Sequence, residues 1–151
     1  MNKQPNSNNC FVCGRSNPCG LQMVFFDNGK DEVVADYTVS RVYEGYPGVV
    51  HGGVQAAILD EIVGRVSLID DFHQFMMSVR LEVKYRHKVP VEVPLRIIGR
   101  RESLRGKYGQ AHGMIYLPDG TLATEAAMIL VQLPKDVWQA APAELGWRVD
   151  F

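Results

Sequence analysis

Pro47-Gly48-Val49-Val50-His51-Gly52-Gly53-Val54-Gln55-Ala56-Ala57-Ile58-Leu59-Asp60-Glu61-Ile62 opens as a Pro/Gly turn and closes as a helix. From Ile58 the apolar positions run Ile58, Leu59, Ile62, Val63, Val66 and Ile69, which is helical spacing. The turn therefore delivers two glycines, without side chains, to a helix N-terminus. Free N–H groups and the positive end of the helix dipole make such a place attract a partly negative oxygen. Two turns further on the helix carries adjacent carboxylates, Asp60 and Glu61, beside an apolar stripe. A carboxylate there is costly to bury unless it is paired or used. An oxygen-polarising turn plus a carboxylate is half of an acyl-transfer site.

Working outward, an Asn28-Gly29 pair separates the apolar run Leu21–Asp27 from Glu32–Val39, a strong hairpin signal. In the second run Val33, Ala35, Tyr37 and Val39 share a face. Beyond the helix, Ser78–Arg86 alternates strictly. Val79, Leu81, Val83 and Tyr85 are expected to face the core, and Arg80, Glu82, Lys84 and Arg86 to face water. Pro90 and Pro94 bracket a connection, and strands are expected over 95–101, 107–117 and 121–133. Pro118-Asp119-Gly120 turns between the last two. The order of two strands, one long helix and four strands predicts an α+β fold, a curved antiparallel sheet wrapped around one central helix. Such a sheet leaves edges and an uncovered face that a second copy of the chain can cover.

The chain has 151 residues, enough for one domain with a sizeable core. Apolar residues make up 46%, and no run approaches the roughly 18 needed to span a bilayer. The net charge of −1 and the lack of a strong basic block argue against nucleic acid as the main partner. Residues 1–9 are polar, unlike a secretory signal, and are expected to form a mobile tail before a domain over 10–134. Residues 135–151 are expected as a C-terminal extension with a short helix. An odd count of 3 cysteines with no signal segment points to reduced thiols and a cytoplasmic location.

With these residues in place, the chain resembles the hotdog-fold acyl-CoA thioesterases, and is most similar to the phenylacetyl-CoA and 4-hydroxybenzoyl-CoA thioesterase superfamily. The resemblance rests on Val50-His51-Gly52-Gly53 followed by Asp60, then Ser78 heading a strand that reads x-Leu-x-Val-x-Tyr. Pro94-Leu95 and Asp119-Gly120-Thr121-Leu122-Ala123 continue it. The lead-in Cys10-Phe11-Val12-Cys13-Gly14…Asn17-Pro18…Gly20-Leu21 matches as well, so the resemblance covers about residues 10 to 134. It implies hydrolysis of a thioester whose carbonyl accepts the Gly53 N–H, with Asp60 as general base on water or as nucleophile. Ser78 would orient the water or the carboxylate, and His51 would shape the turn. The family needs no cofactor and no metal. It implies self-association as a homodimer or a dimer of dimers, with no nucleic acid or membrane partner. Gly53 and Asp60 are seven residues apart, about 10.5 Å along one helix. A carbonyl held at Gly53 is therefore out of reach of the same helix's Asp60, so the carboxylate is expected from a partner chain.

The remaining assignments come with competitors. Gly52 is expected to contribute to binding, though the Gly52-Gly53 pair also suits a plain tight turn. Glu61 competes with Asp60 for the catalytic role. Related enzymes often place an amide upstream of His-Gly-Gly, but here the region reads Tyr43-Glu44-Gly45-Tyr46, leaving Glu44 as the substitute. Arg86 and Lys88 could hold coenzyme A phosphates, as could Arg100, Arg101, Arg105 and Lys107, or these could be solvated strand ends. Met76-Met77 and Phe25-Phe26 suit core or interface. Cys10 and Cys13 form half a zinc site whose completion would need a distant histidine, His51, His73, His87 or His112; small buried thiols are the simpler reading. Three rival functions remain open: a dehydratase or hydratase on the same fold, a non-catalytic acyl-CoA binder, and a zinc-stabilised interaction module.

Overall fold

In the computed structural model, which describes residues 1–149, the strands are β1 (Asn2–Lys3), β2 (Phe26–Asp27), β3 (Glu32–Thr38), β4 (Met76–Tyr85), β5 (Pro94–Arg105), β6 (Tyr108–Tyr116) and β7 (Leu122–Gln132). The helices are α1 (Gly52–Gly64) and α2 (Lys135–Leu145). The strands form one seven-stranded sheet in the order β1-β2-β3-β5-β6-β7-β4, antiparallel throughout. The sheet packs against α1, as expected for a hotdog fold. No helix among the described residues is long and apolar enough to cross a membrane.

Small residues decide how closely α1 sits on the sheet. Val33, Gly99, Gly113, Ala126 and Val83 stand side by side across β3, β5, β6, β7 and β4. A Cβ on Gly99 would lie 2.6 Å from Ile62 O, and one on Gly113 would lie 2.7 Å from Val63 Cγ2 and 3.0 Å from Leu59 Cδ2. The glycines thus form a seat for the helix. The face of α1 that fills it is the one read from the sequence: Ile58, Leu59, Ile62 and Val63 are buried.

The Asn28-Gly29 hairpin forms as expected. Asn28 Oδ1 accepts from the N–H groups of Lys30, Asp31 and Glu32, and Gly29 takes a φ of 72°. Two features depart from the sequence reading. A seventh strand, β1, comes from residues expected to be a mobile tail, and these residues are packed rather than loose. Gln4, Asn6 and Ser7 are buried. Asn6 Nδ2 donates to Cys13 O and Met23 O, both at 2.8 Å, and Gln4 Nε2 donates to Asp27 Oδ2 at 3.0 Å. Asn6 also bridges to Arg148, so the N-terminal segment and the segment after α2 hold each other. Second, β4 is not an unbroken alternating strand. Ser78 pairs with Leu130 and Arg80 with Ile129, which leaves Val79 unpaired in a bulge. Leu81 and Val83 pack inward as expected, but Val79 is exposed, and Ser78 turns inward. Tyr85, expected in the core, is also exposed. The C-terminal extension follows the expectation of a short helix, α2 of 11 residues, but it is tied to the N-terminal segment through Asn6 and Arg148. Its last two residues, 150 and 151, lie outside the described residues.

Candidate active site

His51 caps α1. Its backbone O accepts from Gln55 N–H at 3.0 Å, and its side-chain Nδ1 accepts from Gly53 N–H at 2.9 Å. This bond shapes the turn, with Nδ1 as its acceptor. It also occupies the N–H expected to meet a thioester carbonyl. Among the described residues the neighbouring Gly52 and Val54 N–H groups meet no acceptor, as is normal in a first helical turn.

The turn before the cap is fixed by Glu44, whose Oε2 accepts from Gly48 N–H at 2.9 Å and lies 3.5 Å from Arg41 Nη1. Gly48 sits at a φ of 76°, where a side chain would be strained. Glu44 is thus spent on this turn and does not line the adjoining cavity.

That cavity, of about 710 Å³, opens beside the start of α1. Its walls include His51, Gly52, Gln55, Tyr85, Arg86 and Lys88. Gly52, the first residue of α1, thus shares this cavity with Arg86 and Lys88 from beyond the end of β4. Tyr85 OH donates to Gly52 O at 2.8 Å, tying the end of β4 to the first turn of α1. Arg86 is not free: its Nη2 lies 2.8 Å from Glu125 Oε1, and the Arg86 guanidinium holds the Glu125 carboxyl below its usual range. Arg100 and Arg101 pair elsewhere, with Glu32 and Asp70.

Gln55 was not singled out in the sequence. It is buried; its Nε2 donates to Val50 O at 3.0 Å and its Oε1 accepts from Thr124 Oγ1 at 2.6 Å. The cavity wall thus holds an amide downstream of His51, with both of its polar atoms bonded within the protein. The signal for Gln55 was an amide within an otherwise apolar helical turn.

Asp60 and Ser78 lie at a different place. Ser78 Oγ donates to Asp60 Oδ1 at 2.5 Å and lies 3.3 Å from Met128 Sδ. The bulge at Val79 makes this bond: in unbroken alternation Ser78 would share the outer face with Arg80 and Glu82. Asp60 is exposed in the single chain. Asp60 and Ser78 line a second cavity, of about 210 Å³, together with Cys10, Cys13, Glu61 and Arg65. Neither lines the cavity beside His51 and Gly52.

Glu61 differs from its neighbour. Its Oε1 pairs at 2.9 Å with Nε of Arg65, a buried arginine stacked 4.1 Å from the Phe25 ring centre. Its Oε2 faces Cys10 Sγ at 3.6 Å. Cys13 is buried, Cys10 half-buried and Cys19 exposed. The bond between the two thiols brings Cys13 down to about 7, against burial and the Glu61 charge. The same bond, with burial and Glu61, pushes Cys10 up.

The sequence profile of the thioesterase superfamily matches residues 47–124, from the Pro/Gly turn to the start of β7. A thioesterase superfamily protein of known crystal structure superposes with a TM-score of 0.73 at 27% identity, over 82% of this chain; the chain spans 63% of that protein's length. A Streptococcus mutans protein, crystallised bound to acetyl CoA, aligns with a TM-score of 0.66 at 20% identity over 75% of this chain and 88% of its own. A hypothetical thioesterase of Streptococcus pneumoniae, crystallised with coenzyme A, gives 0.66 at 18% identity over 72% and 86%. With the profile matched from the helix cap through the sheet, and the sheet wrapped on one helix as in these structures, the chain belongs to the thioesterase superfamily.

Proposed function

We propose that the chain is an acyl-CoA thioesterase, which hydrolyses a thioester to free acid and coenzyme A. It works as a homodimer or a dimer of dimers, in which each site takes the α1 N-terminus from one chain and Asp60 from its partner. The observation that carries this reading is the separation of the two halves: His51 and Gly52 line one cavity, Asp60 and Ser78 another. Two antiparallel copies of α1 would bring unlike halves together. β4 ends the sheet and exposes Met77 and Val79, a surface suited to a second copy.

In the assembled site the thioester oxygen takes the Gly53 N–H in place of His51 Nδ1. One such donor is worth about 2.7–4 kcal/mol to a developing oxyanion. The partner's carboxylate, aimed by Ser78 Oγ, activates water as general base or attacks the carbonyl itself. Arg86 and Lys88 meet the coenzyme A phosphates at the mouth of the larger cavity. The coenzyme A ligands of the two streptococcal structures support this substrate class.

A non-catalytic acyl-CoA binder is the second reading. It is favoured by the Gly53 N–H being occupied by His51, and by Glu44 being turned to Gly48. Thiol release from acetyl-, hexanoyl-, palmitoyl-, phenylacetyl- and hydroxybenzoyl-CoA separates the two. The thioesterase reading expects turnover of at least one ester and a loss of about 10²–10⁴ in kcat for Asp60→Asn. Coenzyme A esters that bind without turnover across the panel would establish the binder instead.

A further inference from the structure

We infer that Cys10, Cys13 and Glu61 form a site for a zinc-like divalent ion, which clasps the N-terminal lead-in to α1. Their ligand atoms all lie within 4.8 Å of one another. The site goes beyond the thioesterase reading and stands whether or not that reading holds.

The cysteine loop is shaped as a ligand. Val12 N–H and Cys13 N–H both point at Cys10 Sγ, at 3.3 and 3.4 Å. These two backbone N–H groups fix where the Cys10 sulfur stands, and its proton leaves when a metal binds. Gly14 N–H closes the loop onto Cys10 O at 2.8 Å, and a Cβ on Gly14 would overlap that oxygen. The glycine after the second cysteine is thus required by the closure.

The third ligand arrives from α1 already oriented. Arg65 holds Oε1 of Glu61, which leaves Oε2 facing Cys10 Sγ at 3.6 Å. Zinc at about 2.3 Å from sulfur and about 2.0–2.2 Å from oxygen, in a tetrahedron, sets S···O near 3.5 Å. The Cys10–Glu61 spacing matches this value, and the other ligand pairs, held within 4.8 Å, close around the ion. Charge fits as well. Two thiolates and a carboxylate carry three negative charges, and a divalent ion with the buried Arg65 cancels them. Sulfur ligands select zinc over magnesium or calcium. The fourth position opens on the cavity of about 210 Å³ that Ser7 also lines, with room for a water. The sequence reading sought the missing ligand among the histidines, but the cluster is completed by a carboxylate from the helix.

The test uses the full chain, reduced and stripped with a chelator, then titrated with Zn²⁺ or Co²⁺. Expected are one tight equivalent per chain, a thiolate-to-cobalt charge-transfer band, and zinc protection of two thiols from a disulfide reagent. Cys19, exposed, stays reactive and serves as the internal control. Cys10→Ser and Cys13→Ser lose the band, and Cys19→Ser keeps it. Glu61→Gln weakens binding by at least about tenfold, since losing even an outer-shell partner costs about 10–100-fold. Thiol protection is read on the unmodified chain, so it decides the matter even where a cysteine variant fails to fold. The inference is overturned if natively folded chain gives no cobalt charge-transfer band. It is also overturned if all three thiols react alike with and without zinc, or if binding survives in Cys10→Ser and Cys13→Ser.

Discussion

Replacing Gly99 by alanine puts a methyl group where α1 already sits. The new Cβ would lie 2.6 Å from Ile62 O, 3.0 Å from Ile62 C and 3.2 Å from Ile62 Cγ1. An ordinary contact begins at 3.4 Å, so the gap must open by 3.4 − 2.6, or 0.8 Å. Ile62 O is backbone in the middle of α1, so no rotamer change relieves it and the helix must retreat as a body. Overpacking of this kind costs about 1–3 kcal/mol. For a domain of this size that lowers Tm by about 2–4 °C per kcal/mol. The same substitution at Gly64 has the opposite sign. That residue is helical, with φ −58° and ψ −31°, and nothing lies within 4 Å of an added Cβ. Gly64→Ala is expected to stabilise by about 0.5–1 kcal/mol. Urea denaturation of both variants beside the parent measures the two shifts. Because α1 carries both His51 and Asp60, Gly99→Ala should also lower thioester turnover, by up to about 10²-fold for a displacement near 1 Å. Gly99→Ala as stable as the parent would refute the account of the glycine seat.

Gln55→Ala leaves Thr124 Oγ1 and Val50 O without their buried partner and should cost about 1–3 kcal/mol, read by urea denaturation. Glu125→Gln should release Arg86 toward a phosphate and lower the KM for acyl-CoA without raising kcat, read by steady-state kinetics. The Arg86 charge holds the Glu125 carboxyl below its usual range, so the carboxyl stays ionised at neutral pH. The pair is therefore lost only as pH falls through that lowered value, and near neutrality only the substitution releases Arg86.

Much of the fold was legible because local pattern and tertiary role agree. The apolar stripe from Ile58 to Val63 is the buried face of α1, Asn28-Gly29 is a turn, and four strands follow the helix close to where they were expected. What was not legible depends on partners far away in the chain. The alternation from Ser78 to Arg86 is unbroken in sequence, and the bulge at Val79 comes from pairing with β7. That one extra residue aims Ser78 at Asp60. The polar start of the chain reads as a tail because composition does not reveal that the Asn6 and Gln4 amides bond groups more than a dozen residues away. At the candidate site, a turn-shaping role for His51 was accessible from the motif, whereas the shared cavity of Gly52 with Arg86 and Lys88 comes only from the fold. The partnership of Cys10 with Glu61 was not accessible either, since 51 residues separate them. Glu44 was offered a substrate role because a loop carboxylate has no visible partner in sequence; Gly48 N–H is that partner.

The shared site is tested most directly by mixing two inactive variants. Asp60→Asn removes the carboxylate, and Gly53→Pro removes the N–H and displaces His51 from its cap, because the proline ring would stand where that N–H now meets His51 Nδ1. Each alone, natively folded by circular dichroism, should be inactive toward the ester that the parent hydrolyses. After subunit exchange in an equal mixture, half of the dimers are mixed, and one of the two sites in each is intact. The account predicts recovery to about a quarter of parental thiol release. Mixed dimers that form, as seen by native mass spectrometry, yet stay at the inactive baseline would contradict a site built from the helix N-terminus of one chain and Asp60 of the other.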